Sequence, residues 1–230
     1  MQTSPSIITF ASPKGGVGKS TSCLAIGGAL AARGEPVLIL DLDQTNTLIR
    51  WYRQHQPHIP GLSVDTVSEA DLFKTLTVLY RERTGYILID LAGALSNVML
   101  QAAAIAHLTI TPAKLSEPDI LEATKLHHQL AKLASVNGRM ITHRVLINEA
   151  AALLPTYQRH ILDQIAASPL RRFDTLMHQR APYAEAFLTG QPAHFADRSR
   201  PPVRKAVEEL DALIEELLVV LAPQQLEAAA

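Results

Sequence analysis

One cysteine, almost no net charge and no long apolar run: what this chain lacks already narrows what it can be. Cys23 is the single cysteine, which excludes an internal disulfide and any multi-cysteine metal or cluster site and leaves buried packing as its expected role. The formal charge of -1 gives no global attraction to nucleic acid or to an anionic membrane, so any such binding must come from a local patch. No stretch approaches the roughly 20 apolar residues of a membrane span. Met1 to Pro5 is short and polar, unlike a signal peptide, so a cytoplasmic protein is expected. What is present is ordinary for a soluble globular protein: 47% hydrophobic and 19% charged residues in a chain of 230, long enough for one large domain, 1–230, with a well-buried core.

Against that background, Lys14-Gly15-Gly16-Val17-Gly18-Lys19-Ser20-Thr21 stands out. It lies between an apolar, β-prone segment, Ile7 to Phe10, and a small-residue apolar segment, Ser22 to Arg33, that reads as a buried helix. Glycine-rich turns between strand and helix bend backbone N–H groups inward, and the helix dipole adds positive potential, so together they cradle phosphate oxygens. Lys19 is placed to reach β- and γ-phosphates, and Ser20 offers a hydroxyl of the kind that holds Mg²⁺. Pro13 stands where a strict G-x-x-x-x-G-K-[ST] loop has glycine, so the loop is a variant, with an extra lysine at position 14.

Strand and helix signals alternate along the rest of the chain, which predicts an α/β fold with a mostly parallel twisted sheet and helices on both faces. Strands are expected at Pro36 to Leu40, Leu62 to Val67, Tyr86 to Asp90, Leu108 to Thr111 and Arg144 to Ile147, with a shorter one near Phe173 to Met177. Helices are expected at Asp71 to Arg83, Glu117 to Ser135, Pro155 to Ala167 and Pro201 to Leu221. No function attaches to Glu227 to Ala230. In open sheets of this kind ligands sit at the carboxyl ends of the strands, and acidic residues fall there. Asp90 ends an apolar strand, the arrangement that holds Mg²⁺ in P-loop nucleotidases, and Gly93 offers a backbone N–H near a γ-phosphate. Asp41 and Asp43, at i, i+2 after the second strand, can both point into one crevice. The competing reading is that they cap the next helix.

These residues together resemble a family. Lys14-Gly-Gly-Val-Gly-Lys-Ser-Thr, Asp41-Leu-Asp43 and Ile89-Asp90-Leu-Ala-Gly93 look like the deviant Walker A P-loop NTPases of the ParA/MinD group, and Thr111-Pro112 with Glu117-Pro118-Asp119 resembles a segment of small ParA proteins. Asp43-Gln44-Thr45-Asn46 lacks the proline usual in ParA proteins, and the stretch to Trp51 is closer to plasmid-type and VirC-type relatives. The resemblance implies an ATPase that binds ATP and Mg²⁺ and forms an ATP-dependent homodimer in which Lys14 crosses to the partner's nucleotide. It gives Lys14, Lys19 and Asp43 catalytic parts, Ser20 and Asp90 the metal, and Asn148, just past a strand, a hydrogen bond to adenine, beside which a simple turn or cap is the competing reading.

Branches of that group differ in cargo. A single cysteine excludes cluster carriers, the acidic polar face of the last helix disfavours membrane binding, no tyrosine follows Tyr183, and the first strand at Ile7 leaves no helix-turn-helix before it. Nonspecific double-stranded DNA remains as the expected partner, met by Arg171, Arg172, Arg180, Arg198, Arg200, Arg204 and Lys205, against which stand only Asp174, Glu185 and Asp197. A solvated basic face is the plainer reading of the same charges. The expectation is a nucleoid-associated partition or positioning ATPase released by a ParB-like stimulating protein. The alternatives are a VirC-type scaffold that recruits DNA-processing proteins to a transfer origin, positioning of a protein assembly, and a metabolic P-loop enzyme, against which Lys14 speaks. His127 and His128, adjacent on a helix, point to different sides and make a poor metal pair, and Trp51 reads equally as core or interface anchor.

Overall fold

The computed structural model describes residues 4–228, with side chains to residue 222. Ala229 and Ala230 of the terminal stretch, and Met1 to Thr3, lie outside them. Six strands, β1 (Ser6–Phe10), β2 (Val37–Asp41), β3 (Leu62–Thr66), β4 (Tyr86–Asp90), β5 (Leu108–Ala113) and β6 (His143–Ile147), form one all-parallel sheet in the order β3-β2-β4-β1-β5-β6. β1, β2, β4 and β5 are buried along their whole length, as apolar runs covered on both faces must be.

Helices α1 (Lys19–Ala32), α2 (Thr47–His55), α3 (Leu72–Glu82), α4 (Asn97–Ile105), α5 (Glu117–Asn137), α6 (Thr156–Ala166), α7 (Ala181–Thr189) and α8 (Pro201–Ala228) connect and cover the strands. On one face α1 and α8 pack over Ile8, Phe10, Ile39, Leu88 and Ile110. On the other, α3, α4 and α5 pack over Ile7, Leu38, Leu40, Ile87 and Ile89. Cys23 is fully buried in the first of these cores, and so is Trp51, whose indole N–H donates to the Ala186 carbonyl at 2.8 Å. That decides for core over interface anchor.

Two sequence expectations change. The segment around Phe173 to Met177 is not a strand. It follows the outer edge of β6 through separate bonds, Phe173 N to Val145 O at 3.0 Å and Met177 N to Ile147 O at 2.9 Å, with isolated bridges at Arg172 and His178. The Arg172 guanidinium folds back onto the Phe173 and Asp174 carbonyls, and no continuous ladder forms. The first helix begins at Lys19, three residues before the expected start, because the phosphate-loop lysine and hydroxyls occupy its first turn.

β1 lies between β4 and β5, and the chain winds outward from it in both directions. This is the topological switch point at which open sheets bind ligands, and the glycine-rich loop leaves β1 there.

Candidate functional site

Between Phe10 and Lys19 the chain turns through a loop in which Gly16 and Gly18 take φ of 72° and 90°, a region that side chains with a Cβ avoid. Gly15 and Gly16 are exposed, whereas Val17 and Lys19 are buried. The Lys19 ammonium donates to the Lys14 carbonyl at 3.2 Å, across the mouth of the loop. Burial lowers its pKa, and the Asp90 and Asp43 carboxylates work against that shift. A cation kept in a partly dry loop, with its charge supported by two carboxylates, is poised for anionic oxygens.

Ser20, in the first turn of α1, donates its hydroxyl to Asp90 Oδ2 at 2.6 Å. Asp90 ends β4 and is fully buried, and its other oxygen, Oδ1, has no hydrogen-bond partner. Burial, with Asp41 adding repulsion, pushes the Asp90 carboxyl up to about 7 even though the Ser20 hydrogen bond pulls the other way. An orphaned carboxylate oxygen beside a serine hydroxyl is the donor set that a hard cation with oxygen preferences takes, so these residues fit Mg²⁺. Gly93 closes this side: a Cβ there would come within 3.0 Å of Gly15 Cα and 3.1 Å of Lys19 Nζ, so a larger residue would crowd the contact between the loop after β4 and the phosphate loop.

The two aspartates after β2 divide their work. Asp41 is buried and accepts from the backbone N–H groups of Leu48 and Ile49 at 2.8 and 3.0 Å and of Asp43 at 3.1 Å. It therefore caps α2 from seven residues upstream, and does not face the crevice. Asp43 is half exposed and binds the Thr45 N–H and hydroxyl, both at 2.8 Å. Of the pair, Asp43 alone has a carboxylate toward the open side, close enough to support the charge of Lys19.

Lys14, half exposed, pairs with Asp119 in the first turn of α5. Asp119 also accepts from the Lys114 N–H at 2.9 Å. Burial would raise its pKa, but the Lys14 ammonium and that N–H outweigh burial and hold the carboxyl below its ordinary range. Asn148, one residue past β6, is buried, and its side-chain NH₂ donates to the Val17 carbonyl at 3.0 Å. The sequence expectation put this amide on adenine; the structure puts it on the phosphate loop.

The basic residues after position 170 do not form one free face. Arg180 binds Glu209 through Nε at 3.1 Å and through its terminal nitrogen at 3.0 Å. Arg200 pairs with Glu185, Arg172 lies 3.6 Å from Asp174, and Arg204 donates to the Arg198 and Ser199 carbonyls. Arg171, Arg198 and Lys205 carry no carboxylate partner among the described residues. Glu209 was not legible as a centre: it gathers His178, Arg180 and the Tyr183 hydroxyl from a position on α8. Asp119 appeared in the sequence only within a resembling segment. His127 meets a residue that sequence spacing does not suggest, with its Nδ1 3.3 Å from Nδ1 of His143. Among the described residues no group of three or more His, Cys, Asp or Glu side chains surrounds a metal position, and no helix is long and apolar enough to cross a membrane.

The family model described as VirC1 protein matches residues 5–221. The chain belongs to the VirC1 family. Among its relatives, Protein virC1 of Rhizobium rhizogenes is 28% identical over 222 residues, covering 93% of this chain and 95% of that protein. Protein ParA of Rhizobium radiobacter is 26% identical over 213 residues, covering 90% of this chain and 93% of the relative. A plasmid partition protein of Borrelia burgdorferi bound to AMPPNP superposes with a TM-score of 0.69 at 17% identity, over 92% of this chain and 99% of that one. At that identity the likeness is one of fold, and this VirC1-family chain has the fold of the ParA/MinD-type P-loop NTPases.

Proposed function

We propose that this protein is an ATPase that closes into a homodimer around ATP, binds double-stranded DNA without sequence preference in that state, and lets go when a ParB-like partner stimulates hydrolysis. The described chain would act as a single ATPase domain. Lys14 is the observation that carries the reading. It sits in the phosphate loop, half exposed, with its ammonium held on Asp119 at the rim and not in its own loop's cradle. A second cation at the rim lowers the repulsion between two phosphate-loaded faces and can stabilise charge on a partner's nucleotide.

In the monomer's site the exposed amides of Gly15 and Gly16 and the Lys19 ammonium bind phosphate oxygens. Ser20 and Asp90 would hold Mg²⁺, which when bound offsets charge on the β- and γ-phosphates. Asp43 orients water against the γ-phosphorus; the new P–O bond forms from water as the bond to the ADP oxygen breaks. Gly93, packed on Gly15 and Lys19, is placed for its segment to respond when the γ-phosphate leaves. Arg171, Arg198 and Lys205 supply the phosphate contacts to DNA, while Arg180 belongs to the Glu209 network.

The test uses Asp43→Ala, which should bind ATP without turning it over, titrated with random duplex DNA in ATP–Mg²⁺ or ADP across a salt series. Binding with ATP alone, weakening steeply with salt, is expected. Equal binding with both nucleotides, or none, refutes it. A second reading is favoured by the match to the VirC1 family: a scaffold that recruits DNA-processing proteins to a transfer origin. Preference for one duplex sequence over random DNA at the same salt would select it.

A further inference from the structure

Three hydrogen bonds hold Asn148, two of them through its buried side-chain amide, and leave that amide little freedom in its orientation. Its backbone N–H donates to the Ala113 carbonyl at the end of β5, at 2.8 Å. Its side-chain Oδ1 accepts from the Glu149 N–H at 2.9 Å, and its Nδ2 donates to the Val17 carbonyl at 3.0 Å. Because one partner is a donor and the other an acceptor, the assignment of oxygen and nitrogen is fixed by the network. Glu149, which makes the turn past Asn148, takes a φ of 52°, a conformation that side chains adopt only when the surroundings impose it.

The partner of this amide is a carbonyl inside the loop that should receive phosphates. A phosphate cradle works because N–H dipoles converge on the anion; a carbonyl oxygen turned into the same space would repel it. Val17 is buried, whereas Gly15 and Gly16 are exposed, and the Val17 carbonyl is held toward the end of β6. Gly18 fits the same arrangement. A Cβ at that position would lie 1.8 Å from Asn148 Nδ2, so the loop's third glycine is required for the room it leaves to this amide as well as for its φ of 90°.

We propose that Asn148 is a positioning residue that pins the Val17 carbonyl out of the phosphate cradle, and so presets the loop for the polyphosphate of any nucleotide, instead of reading the adenine ring. The inference rests on the nucleotide-binding reading above and assigns how that site is organised. It makes the contribution of Asn148 independent of the base.

The experiment compares the Mg²⁺ complexes of ATP, GTP and inorganic tripolyphosphate binding to wild type, Asn148→Ala and Asn148→Asp, alongside thermal unfolding without ligand. Losing one buried hydrogen bond predicts about tenfold weaker binding of all three ligands to Asn148→Ala. A carboxylate facing the Val17 oxygen predicts a larger common loss in Asn148→Asp. Gly18→Ala should harm tripolyphosphate binding several-fold less in the Asn148→Ala background than in wild type, because the clash is gone, and a purely destabilising role would not produce that coupling. If Asn148→Asp does not fold, Asn148→Ser, with a shorter neutral side chain, should show the common loss expected of Asn148→Ala. A loss confined to ATP, with tripolyphosphate affinity unchanged, overturns the proposal and restores an adenine contact. Wild-type protein that binds neither ATP nor tripolyphosphate overturns the nucleotide-binding reading itself.

Discussion

The substitution Asp90→Asn should make the ligand-free protein more stable at alkaline pH. In the native protein the Asp90 carboxyl titrates at about 7 instead of 3.8, chiefly because it is buried. A group whose native pKa is raised favours the native state in its protonated form. Its contribution is full below pH 3.8, declines as pH rises, and is gone above pH 7, where a buried charge must be tolerated. At about 1.4 kcal/mol per pH unit, that charge costs about 4 kcal/mol at pH 8. The amide introduced by Asp90→Asn would keep the Ser20 hydrogen bond through its oxygen, but its NH₂ would take the place of Oδ1, which has no partner, at a cost of about 1–3 kcal/mol. The net gain is about 2 kcal/mol, or about 4–8 °C in Tm for a chain of this size. At pH 5 most of the charge cost is already absent and the two proteins should unfold together. Thermal unfolding at pH 5 and pH 8 in chelator, without nucleotide, is the assay. A Tm difference that does not change between the two pH values refutes the reasoning.

Other expectations follow from the same contacts. His143 is buried against Thr111 and His127, and burial depresses its pKa to about 3. Its stabilising contribution is full above pH 6.5 and is lost as pH falls towards 3, so His143→Gln should flatten the acid limb of stability measured by urea unfolding across that range. Asp119→Asn should cost about 1 kcal/mol in urea, since Lys14 is partly exposed and the Lys114 N–H keeps an acceptor. Arg180→Ala should destabilise by about 1–3 kcal/mol by leaving buried Glu209 with fewer donors. Arg171→Glu with Lys205→Glu should leave Tm nearly unchanged and cut DNA affinity at least tenfold at fixed salt, as read by fluorescence anisotropy. Equal loss of stability in both arginine sites would contradict the division between structural and DNA-facing charges.

Much of the fold was legible because its signals are local. Apolar runs such as Tyr86 to Asp90 and the glycine-rich turn before Lys19 dictate buried strand and loop within a few residues. The nine-residue helices α2, α4 and α7 were not singled out, but the competing reading of Asp41 as a cap for the next helix is the one the structure shows, since Asp41 accepts from the Leu48 and Ile49 N–H groups at the start of α2. Phe173 to Met177, flanked by isolated bridges, meets the edge of β6 through separate bonds and forms no ladder, while the Arg172 guanidinium occupies the Asp174 carbonyl. The chemistry-bearing residues at the strand ends were readable by type and spacing. Their partners were not, because Asp119, Glu209 and the Val17 carbonyl meet Lys14, Arg180 and Asn148 only through contacts between residues 29 to 131 positions apart.

We propose that ATP held at the end of β1 switches this chain from monomer to dimer through Lys14. Sedimentation velocity of wild type and Lys14→Ala with ATP–Mg²⁺ or ADP tests it most directly. A species of twice the 25.1 kDa chain mass is expected with ATP–Mg²⁺ in wild type alone. A wild-type protein that stays monomeric with saturating ATP–Mg²⁺, or a Lys14→Ala variant that dimerises as well as wild type, would contradict it.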